Sequence, residues 1–538
     1  MESNKRRVIS LLVDNQSGVL ARVSNLFCRR GFNIDSLTVS ATNDPAVSRI
    51  TVTITSDEKA LSQLILQTER LEVTRQVFVL DGEKSLEREL LLLKVASDVH
   101  NRSELREIAS IYKAKIIDLS PDSMVFELIG KPEKLDAFLK MFADYTILEL
   151  CRTGVTALER GGKHEHMQKL AQDTFAKWTE NYAKSSKNKY GVPAAGALVV
   201  NDPNTGEILT ILSYPTYDLN TYSEKYSELS KDERTPLWNR ALRSTYAIGS
   251  TSKPSVAIAA IEEGLTNRDR VIRCTREFKY LDHTFYCNIN HKDRNLTLRT
   301  ALQDSCNIYF YTCGEELGVS RLNEYRSMLG LGVKTGVELT EAEGIEDSPE
   351  YRESIGQTWL PGYLILSSIG EGGTRFTPIQ LANYVATIAN GGTRYEQHLI
   401  KSVKSADYSE TLVEKTPKVA LETGISKYAI DCVTEGMEYV VNNNHIIQSA
   451  LKGLDVQTAA KTGTSEENRK INGVNQVINN GLYITFAPSK NAEISMAFIC
   501  EGVYGSSSLA QIAKPIYEYY FNSSQTAAAP QSENTLLG

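Results

Sequence analysis

A pattern that runs once and then repeats does most to constrain how this chain folds. Residues 7–14 (RVISLLVD) alternate as a strand does, and residues 20–30 place Leu20, Val23, Leu26 and Phe27 at helical spacing. Residues 34–41 and 48–55 are β-branched runs parted by the turn signal Asn43-Asp44-Pro45. A second helix is predicted over 57–70, with Leu61, Leu64 and Ile65 on one face, and a strand over 73–80. The order βαββαβ is the ferredoxin-like α+β pattern. Asp81-Gly82 interrupts it, and the order then returns as strand 89–96, helix 103–112, strands 115–119 and 124–129, helix 132–142 and strand 147–151.

The rest of the chain does not continue this repeat. Gly161-Gly162-Lys163 and His164-Glu165-His166 mark a boundary, read as a solvated linker rather than a metal site. An amphipathic helix is predicted over 167–182, with Leu170, Phe175, Trp178 and Tyr182 on one side, and 185–189 reads as a polar loop. From Pro193 a hairpin follows, with strands at 197–200 and 207–212 around a turn at 201–206. Strands are also expected at 481–487 and 493–501, and the Ser-, Ala- and Gln-rich end reads as a disordered tail. The chain is thus an α+β multidomain protein, divided as 1–82, 83–162, a linker and helix at 163–192, a large domain at 193–522 and a tail at 523–538. A net charge of -7 gives no footing for nucleic-acid binding. No stretch has the apolar length of a secretory signal or a membrane span, so the expected compartment is the cytoplasm.

Chemistry gathers at Gly249-Ser250-Thr251-Ser252-Lys253-Pro254, at the head of the apolar run Val256, Ile258, Ala259, Ala260 and Ile261. This reads as a helix start, where positions three apart share a face, so Ser250 Oγ and Lys253 Nζ are expected to meet. A serine nucleophile needs such an adjacent base. Ser305-Cys306-Asn307 and Lys461-Thr462-Gly463-Thr464 follow in that order. The set Ser-x-x-Lys, Ser-x-Asn, Lys-Thr-Gly resembles the signature of penicillin-binding proteins and serine β-lactamases. Asn239-Arg240-Ala241-Leu242, Ser368-Ile369-Gly370, Thr377-Pro378-Ile379-Gln380-Leu381-Ala382 and Ile388-Ala389-Asn390-Gly391-Gly392 extend the likeness, which is greatest to the class B, monofunctional kind, though without its anchor or N-terminal pedestal. The implied fold is an antiparallel sheet flanked by helices.

The resemblance implies roles. Ser250 is the nucleophile, and Lys253, its proton affinity lowered by burial and a nearby cation, is the base. Ser305 relays the proton, Asn307 holds the substrate amide, and Lys461 orients Ser305 and attracts the substrate carboxylate. The Thr462-Gly463-Thr464 strand binds that carboxylate through its threonine hydroxyls, and the Ser250 and Thr464 N–H groups form the oxyanion hole. The implied reaction is acyl transfer from a peptidoglycan stem peptide, which β-lactams trap. Four positions depart from the family: Ala247-Ile248 where proline is usual, Ser252 where an aromatic residue is usual, and Glu371 where glutamine is usual. Cys274, His283, Cys287 and His291 suit zinc by type but not by finger spacing. Free thiols near the surface are the expectation, with no metal ligands and with Cys306 as a packing residue. A Cys274–Cys287 disulfide is the alternative for an exported domain.

The first 160 residues carry a second resemblance. Asp14-Asn15-Gln16-Ser17-Gly18-Val19-Leu20-Ala21-Arg22-Val23, Arg30-Gly31-Phe32-Asn33-Ile34 and Ser36-Leu37-Thr38-Val39 are similar to the regulatory (small) subunit of acetolactate synthase. Asp44-Pro45, Ser48-Arg49, Lys134-Leu135-Asp136-Ala137-Phe138 and Arg152-Thr153-Gly154 continue it to that subunit's end. It implies an ACT domain that binds valine or a related branched-chain amino acid through Asn15, Gly18, Val19 and Asn33. It also implies pairing of ACT sheets into a homodimer, and a separate catalytic large subunit that carries the thiamine diphosphate, FAD and magnesium. This chain is expected to hold no cofactor. The whole reads as a fusion of the two families. The alternatives are that only one half functions, or that two adjacent genes are joined artefactually near 161–167.

Overall fold

Alternation in the first strand decides the first sheet. In β1 (Lys5–Asp14), Ile9, Leu11 and Val13 share one face and are buried with Val23 and Phe27 of α1 (Val19–Arg29) and Leu61 and Leu64 of α2 (Glu58–Thr68). β2 (Ser36–Ala41), β3 (Val47–Ser56) and β4 (Thr74–Leu80) complete an antiparallel sheet in the order β2-β3-β1-β4. The second repeat is β5 (Ser85–Ala96), α3 (Arg102–Tyr112), β6 (Lys115–Leu119), β7 (Ser123–Gly130), α4 (Pro132–Lys140) and β8 (Ile147–Arg152), with strand order β6-β7-β5-β8. Leu91, Leu93, Met124 and Phe126 pack there on Leu105, Leu135 and Phe138.

One strand of the two repeats was not anticipated. β9 (Thr156–Glu159) pairs with Ser85–Arg88, which is why β5 begins four residues before the expected start. Val155 and Ala157 bury against Val8 and Leu80, and the Val155 N–H donates to Ser36 Oγ at 2.9 Å. The segment after β8 therefore straps the two repeats into one unit.

This is a computed structural model. It describes residues 5–42, 44–68, 70–80, 85–159, 163–185, 195–287, 291, 293–405, 411–471 and 474–525. The chain divides into two units, one ending at Gly162 and one spanning Lys163–Ser523. The expectations for Asn43, Asp81-Gly82, Gly161-Gly162, the loop ending at Pro193, the side chains of His164-Glu165-His166 and the tail from residue 526 lie outside the described residues.

The second unit is organised on a five-stranded antiparallel sheet. Its order is Ile208–Tyr214, Ala195–Asn201, Ile494–Glu501, Val474–Ala487, Ala459–Ile471. The period of two divides each strand between two cores. Ala197, Val199, Leu482, Ile484 and Ile499 lie in a core with the helices Lys253–Glu262, Asn307–Leu329, Pro378–Ala389 and Lys427–Asn443. Leu198, Val200, Tyr483, Met496 and Phe498 lie in the other with α5 (Lys163–Ala183) and the helix Ala510–Gln525.

The helix expected in the linker thus belongs to this unit. Met167, Ala171, Phe175, Trp178 and Tyr182 recur every three or four residues and are buried. Gln168 covers the edge strand, donating to Ile211 O at 2.8 Å and accepting from Ile211 N at 2.9 Å. The helix Lys253–Glu262 is buried at every position from Lys253 to Ile261, as an apolar helix must be to be stable in water. It carries Lys253 into the core beside the sheet edge. Among the described residues no helix is long and apolar enough to cross a membrane.

Candidate active site

Ser250 sits on a 3-10 turn, Gly249–Ser252, that feeds the buried helix. Two glycines let this turn lie directly against the edge strand Ala459–Ile471. Gly249 has φ +50, and a Cβ there would fall 2.2 Å from Thr464 O. A Cβ on Gly463 would fall 2.8 Å from Thr251 Cγ2 and 2.9 Å from Ile248 O. The Lys-Thr-Gly strand and the turn bearing Ser250 are therefore held at backbone contact. Thr462 and Thr464 share the strand's more exposed face, while Lys461 and Gly463 are buried.

Both lysines meet at Ser305. Lys253 Nζ donates to Ser305 O at 2.7 Å, to Ser305 Oγ at 3.2 Å and to Asn307 Oδ1 at 2.7 Å. Lys461 Nζ donates to Ser305 Oγ at 3.1 Å and to Thr462 O at 2.8 Å. The expected direct meeting of Ser250 Oγ with Lys253 Nζ is replaced: the ammonium's three protons are all directed to Ser305 and Asn307. Helical spacing put the two side chains on one face, but three acceptors on the neighbouring Ser305-Cys306-Asn307 segment outcompete one hydroxyl. Asn307 is oriented further by Nδ2, 3.5 Å from Tyr286 O.

Burial sets the electrostatics. Lys253 is 0% and Lys461 1% exposed. Burial pushes Lys253 down to about 8, and it holds Lys461 well below the usual lysine range, with the Lys253 charge depressing it further. Ser305 holds a left-handed φ of 54, which costs an L residue about 1–2 kcal/mol. Its hydroxyl bonds to the two lysines are worth about 1.5–3 kcal/mol to a charged partner and about 0.5–1.5 kcal/mol to a neutral one. They more than offset that strain, so the conformation persists because the site holds it there.

Four further side chains converge behind this site. Sγ of Cys274, Cys287 and Cys306 and a ring nitrogen of His291 all lie within 4.8 Å of one another. Cys287 Sγ is 3.0 Å from His291 Nε2 and 3.7 Å from Cys306 Sγ, and Cys274 Sγ is 3.9 Å from His291 Nε2. Zinc bound tetrahedrally at about 2.3 Å to sulfur and about 2.0 Å to nitrogen suits such edges. The Cys287 thiol is pushed down, first by the Cys306 thiol and then by the Ile308 and Asn307 N–H groups, which favours the thiolate a metal needs.

Two expectations are corrected here. The cysteines form no disulfide, but Cys274, Cys287 and Cys306 are buried rather than near the surface, and their donor set suits a metal. The fourth member is Cys306 and not His283. The strands Glu277–Tyr280 and His283–Tyr286 pair as a hairpin that carries His283 to its tip, against the Phe285 ring at 4.8 Å. A metal there would tether the middle residue of Ser305-Cys306-Asn307.

In the first unit, Gly18 caps α1 with φ 85, beside the start of the helix. Asn15 is committed to the turn before β3, donating from Nδ2 to Pro45 O at 2.8 Å and accepting from Ser48 Oγ at 3.0 Å. Asn33 is exposed and donates to Asp35 Oδ1 at 3.0 Å. Val19 packs its side chain into the core at 4% exposure, so only its backbone is available to a ligand.

With this geometry in place, comparison with known proteins divides the chain as the fold does. Residues 196–518 match the penicillin binding protein transpeptidase domain. Residues 9–76 match the AHAS small subunit-like ACT domain and residues 88–161 the small subunit of acetolactate synthase. A peptidoglycan D,D-transpeptidase MrdA of Acinetobacter baumannii is 29% identical over 348 residues, 60% of this chain and 50% of that protein. The chain thus spans about half the length of that relative. A probable acetolactate synthase small subunit of Archaeoglobus fulgidus is 43% identical over 158 residues, 29% of this chain and 99% of that protein. Among solved structures, Pseudomonas aeruginosa PBP2 in complex with WCK 5153 superposes with a TM-score of 0.55 at 27% identity, covering 67% of this chain and 76% of that one.

Proposed function

The chain belongs to the penicillin-binding transpeptidase family over residues 196–518 and to the acetolactate synthase small-subunit family over 9–76 and 88–161, and from this we propose an acylating serine transpeptidase joined to an amino-acid-sensing regulatory subunit. The observation that carries the first part is the convergence of two buried lysines on Ser305 Oγ, beside the turn bearing Ser250. Ser250 attacks the carbonyl before the terminal D-Ala of a stem peptide, and Lys253, once neutral and turned from Ser305 and Asn307 towards Ser250 Oγ, takes the serine proton. The proton passes through Ser305 to the leaving amine. Asn307 holds the donor's amide, and Lys461, Thr462 and Thr464 hold its carboxylate, whose arrival restores the charge that burial disfavours on Lys461. N–H groups of Ser250 and Thr464 stabilise the oxyanion, each worth about 3–4 kcal/mol in such sites. Fluorescent penicillin labelling of the full chain tests this. Labelling lost in Ser250→Ala supports it, and labelling that persists places the nucleophile elsewhere.

The regulatory reading rests on the 99% coverage of a small subunit and on the Gly18 turn at the head of α1, where backbone N–H groups favour a carboxylate. Valine is the effector assigned to Gly18, Val19, Asn15 and Asn33, and ACT sheets pair into a homodimer. The partner is the large subunit, which holds the thiamine diphosphate, FAD and magnesium. Effector binding would reach it as a coupling of about 1–3 kcal/mol. Asn33→Ala should remove valine sensitivity from the reconstituted synthase; unchanged sensitivity would sink this assignment. A regulatory role of this kind favours the cytoplasm, whereas crosslinking acts outside the membrane. Labelling in lysate but not in intact cells would support the first compartment, and labelling in both the second.

A further inference from the structure

A clamped loop runs past the nucleophile turn and carries one carboxyl that the steps above leave unused. Arg326, wholly buried, donates from Nη1 to Ser367 Oγ at 2.7 Å and from Nη2 to Ser367 O at 2.5 Å. At the loop's other end Asp347 Oδ2 accepts from Gly373 N at 3.1 Å and pairs with Arg352 Nη2 at 2.6 Å. Between the clamps Gly370 O accepts the Gly249 N–H at 2.9 Å. Gly370 and Gly372 take φ of 77 and 81, and a Cβ on Gly370 would fall 2.2 Å from Gly249 O. Gly370 is therefore fixed by backbone contact on the residue that precedes Ser250, and Glu371 follows it in the chain, its own N–H bonded to Leu366 O at 3.1 Å.

Its surroundings are mixed in charge. Lys253 of the buried helix, Tyr311 of the helix Asn307–Leu329, Arg375 of its own loop and Glu466 of the edge strand all act on it or feel it. Burial, and then the Glu466 charge, raise its carboxyl to about 8. Glu466 lies two residues beyond Thr464, on the same strand face as Thr462 and Thr464. The donor substrate already has its partners in Asn307, Lys461 and the threonines. The transpeptidase reading leaves the second substrate, an amine, without a partner among them.

Resting on the transpeptidase reading, we propose that Glu371 is a catalytic residue of the second half-reaction, receiving the acceptor amine beside acyl-Ser250 and taking its proton. The acceptor arrives as an ammonium, whose charge favours ionisation of the carboxyl. One N–H proton passes to Glu371 and frees the nitrogen lone pair. The nitrogen attacks the acyl carbonyl, the C–N bond forms and the C–Oγ bond to Ser250 breaks. A second amine proton returns through Lys253 to Ser250 Oγ, and Glu371 releases the first to water. A carboxyl whose proton affinity approaches that of an amine suits this transfer better than an ordinary one. The glutamine usual at this position cannot make it.

The test uses the full chain with an N-benzoyl-D-alanyl thioester as donor and D-alanine as the amine acceptor. It measures how the acyl-enzyme divides between amide product and hydrolysed acid. Glu371→Gln lowers the amide-to-acid ratio by at least about 100-fold, the low end of what one positioned acid–base group supplies, and Glu371→Asp restores part of it. Both products come from the same acyl-enzyme, so a merely structural disturbance of Ser250 slows both and leaves their ratio unmoved. An unchanged ratio in Glu371→Gln overturns the assignment. A wild-type chain that never acylates overturns the transpeptidase reading, and this assignment with it.

Discussion

Adding one methyl group at Gly249 separates the geometry of this site from its stability. The alanine Cβ would stand 2.2 Å from Thr464 O and 2.9 Å from Thr464 C, both backbone atoms that cannot rotate away. Ordinary contact requires the turn bearing Ser250 and the edge strand to part by about 1 Å. That movement takes the Thr464 N–H from the Ser250 N–H, with which it is proposed to form the oxyanion hole. A misplacement of this size costs about 100-fold in rate, and loss of one oxyanion donor about 100- to 1,000-fold. The left-handed φ of +50 adds a folding cost of about 1–2 kcal/mol, small enough for the unit to stay folded. Gly264→Ala is the control, because Gly264 has φ +70 with nothing within 4 Å of its Cβ and so imposes the strain without the clash. The assay is the second-order rate of acylation by fluorescent penicillin, read beside the thermal midpoint. Gly249→Ala should lose at least about 100-fold in acylation while both variants lose a few degrees of Tm. Acylation within about threefold of wild type would refute the reasoning, since it would mean that strand contact does not set the oxyanion geometry.

The pH profile of acylation should rise through about 8, where Lys253 becomes neutral, and then level; a flat or falling profile would remove Lys253 as base. Its proton affinity is lowered on folding, so the unfolded chain binds more protons between about 8 and 10.5, and stability should rise with pH across that window. The purified chain should carry about one zinc, and Cys306→Ser should lose both the metal and much of the acylation; elemental analysis finding none, with Tm unmoved by a chelator, would contradict the donor set. Valine at 100 times its Kd should stabilise the first unit by about 2.7 kcal/mol in calorimetry, with the shift lost in Asn33→Ala; no shift in the wild type would leave the Gly18 turn as a cap alone.

Much of this was legible in the sequence where local pattern and physical constraint coincide. Alternation placed β1, and 3.6-residue spacing placed α1, whose Val23 and Phe27 are buried as the period requires. β9 escaped because Thr156–Glu159 is short and its pairing with Ser85–Arg88 is a long-range contact. The order of the three motifs located the site, and the structure brings their side chains together at Ser305 Oγ. Spacing could not reveal where Lys253 Nζ points, because Ser305, in a turn, and Asn307, at the head of another helix, reach it through tertiary packing. The cysteine cluster was half legible. Cys274, Cys287 and His291 stood out by type, but His283 leaves them at a hairpin tip and Cys306 joins them through tertiary packing. Glu371 was visible only as a departure from a family pattern. Its partial burial and its place next to Gly370, which packs on Gly249, needed the folded loop.

The central claim is that one polypeptide bears an acylatable Ser250 within a transpeptidase site. Mass spectrometry of the full-length chain after incubation with benzylpenicillin tests it most directly. The account predicts one covalent penicilloyl adduct per chain, mapped to the peptide containing Gly249-Ser250-Thr251 and absent from Ser250→Ala. An unmodified chain, or an adduct on another residue, would contradict it.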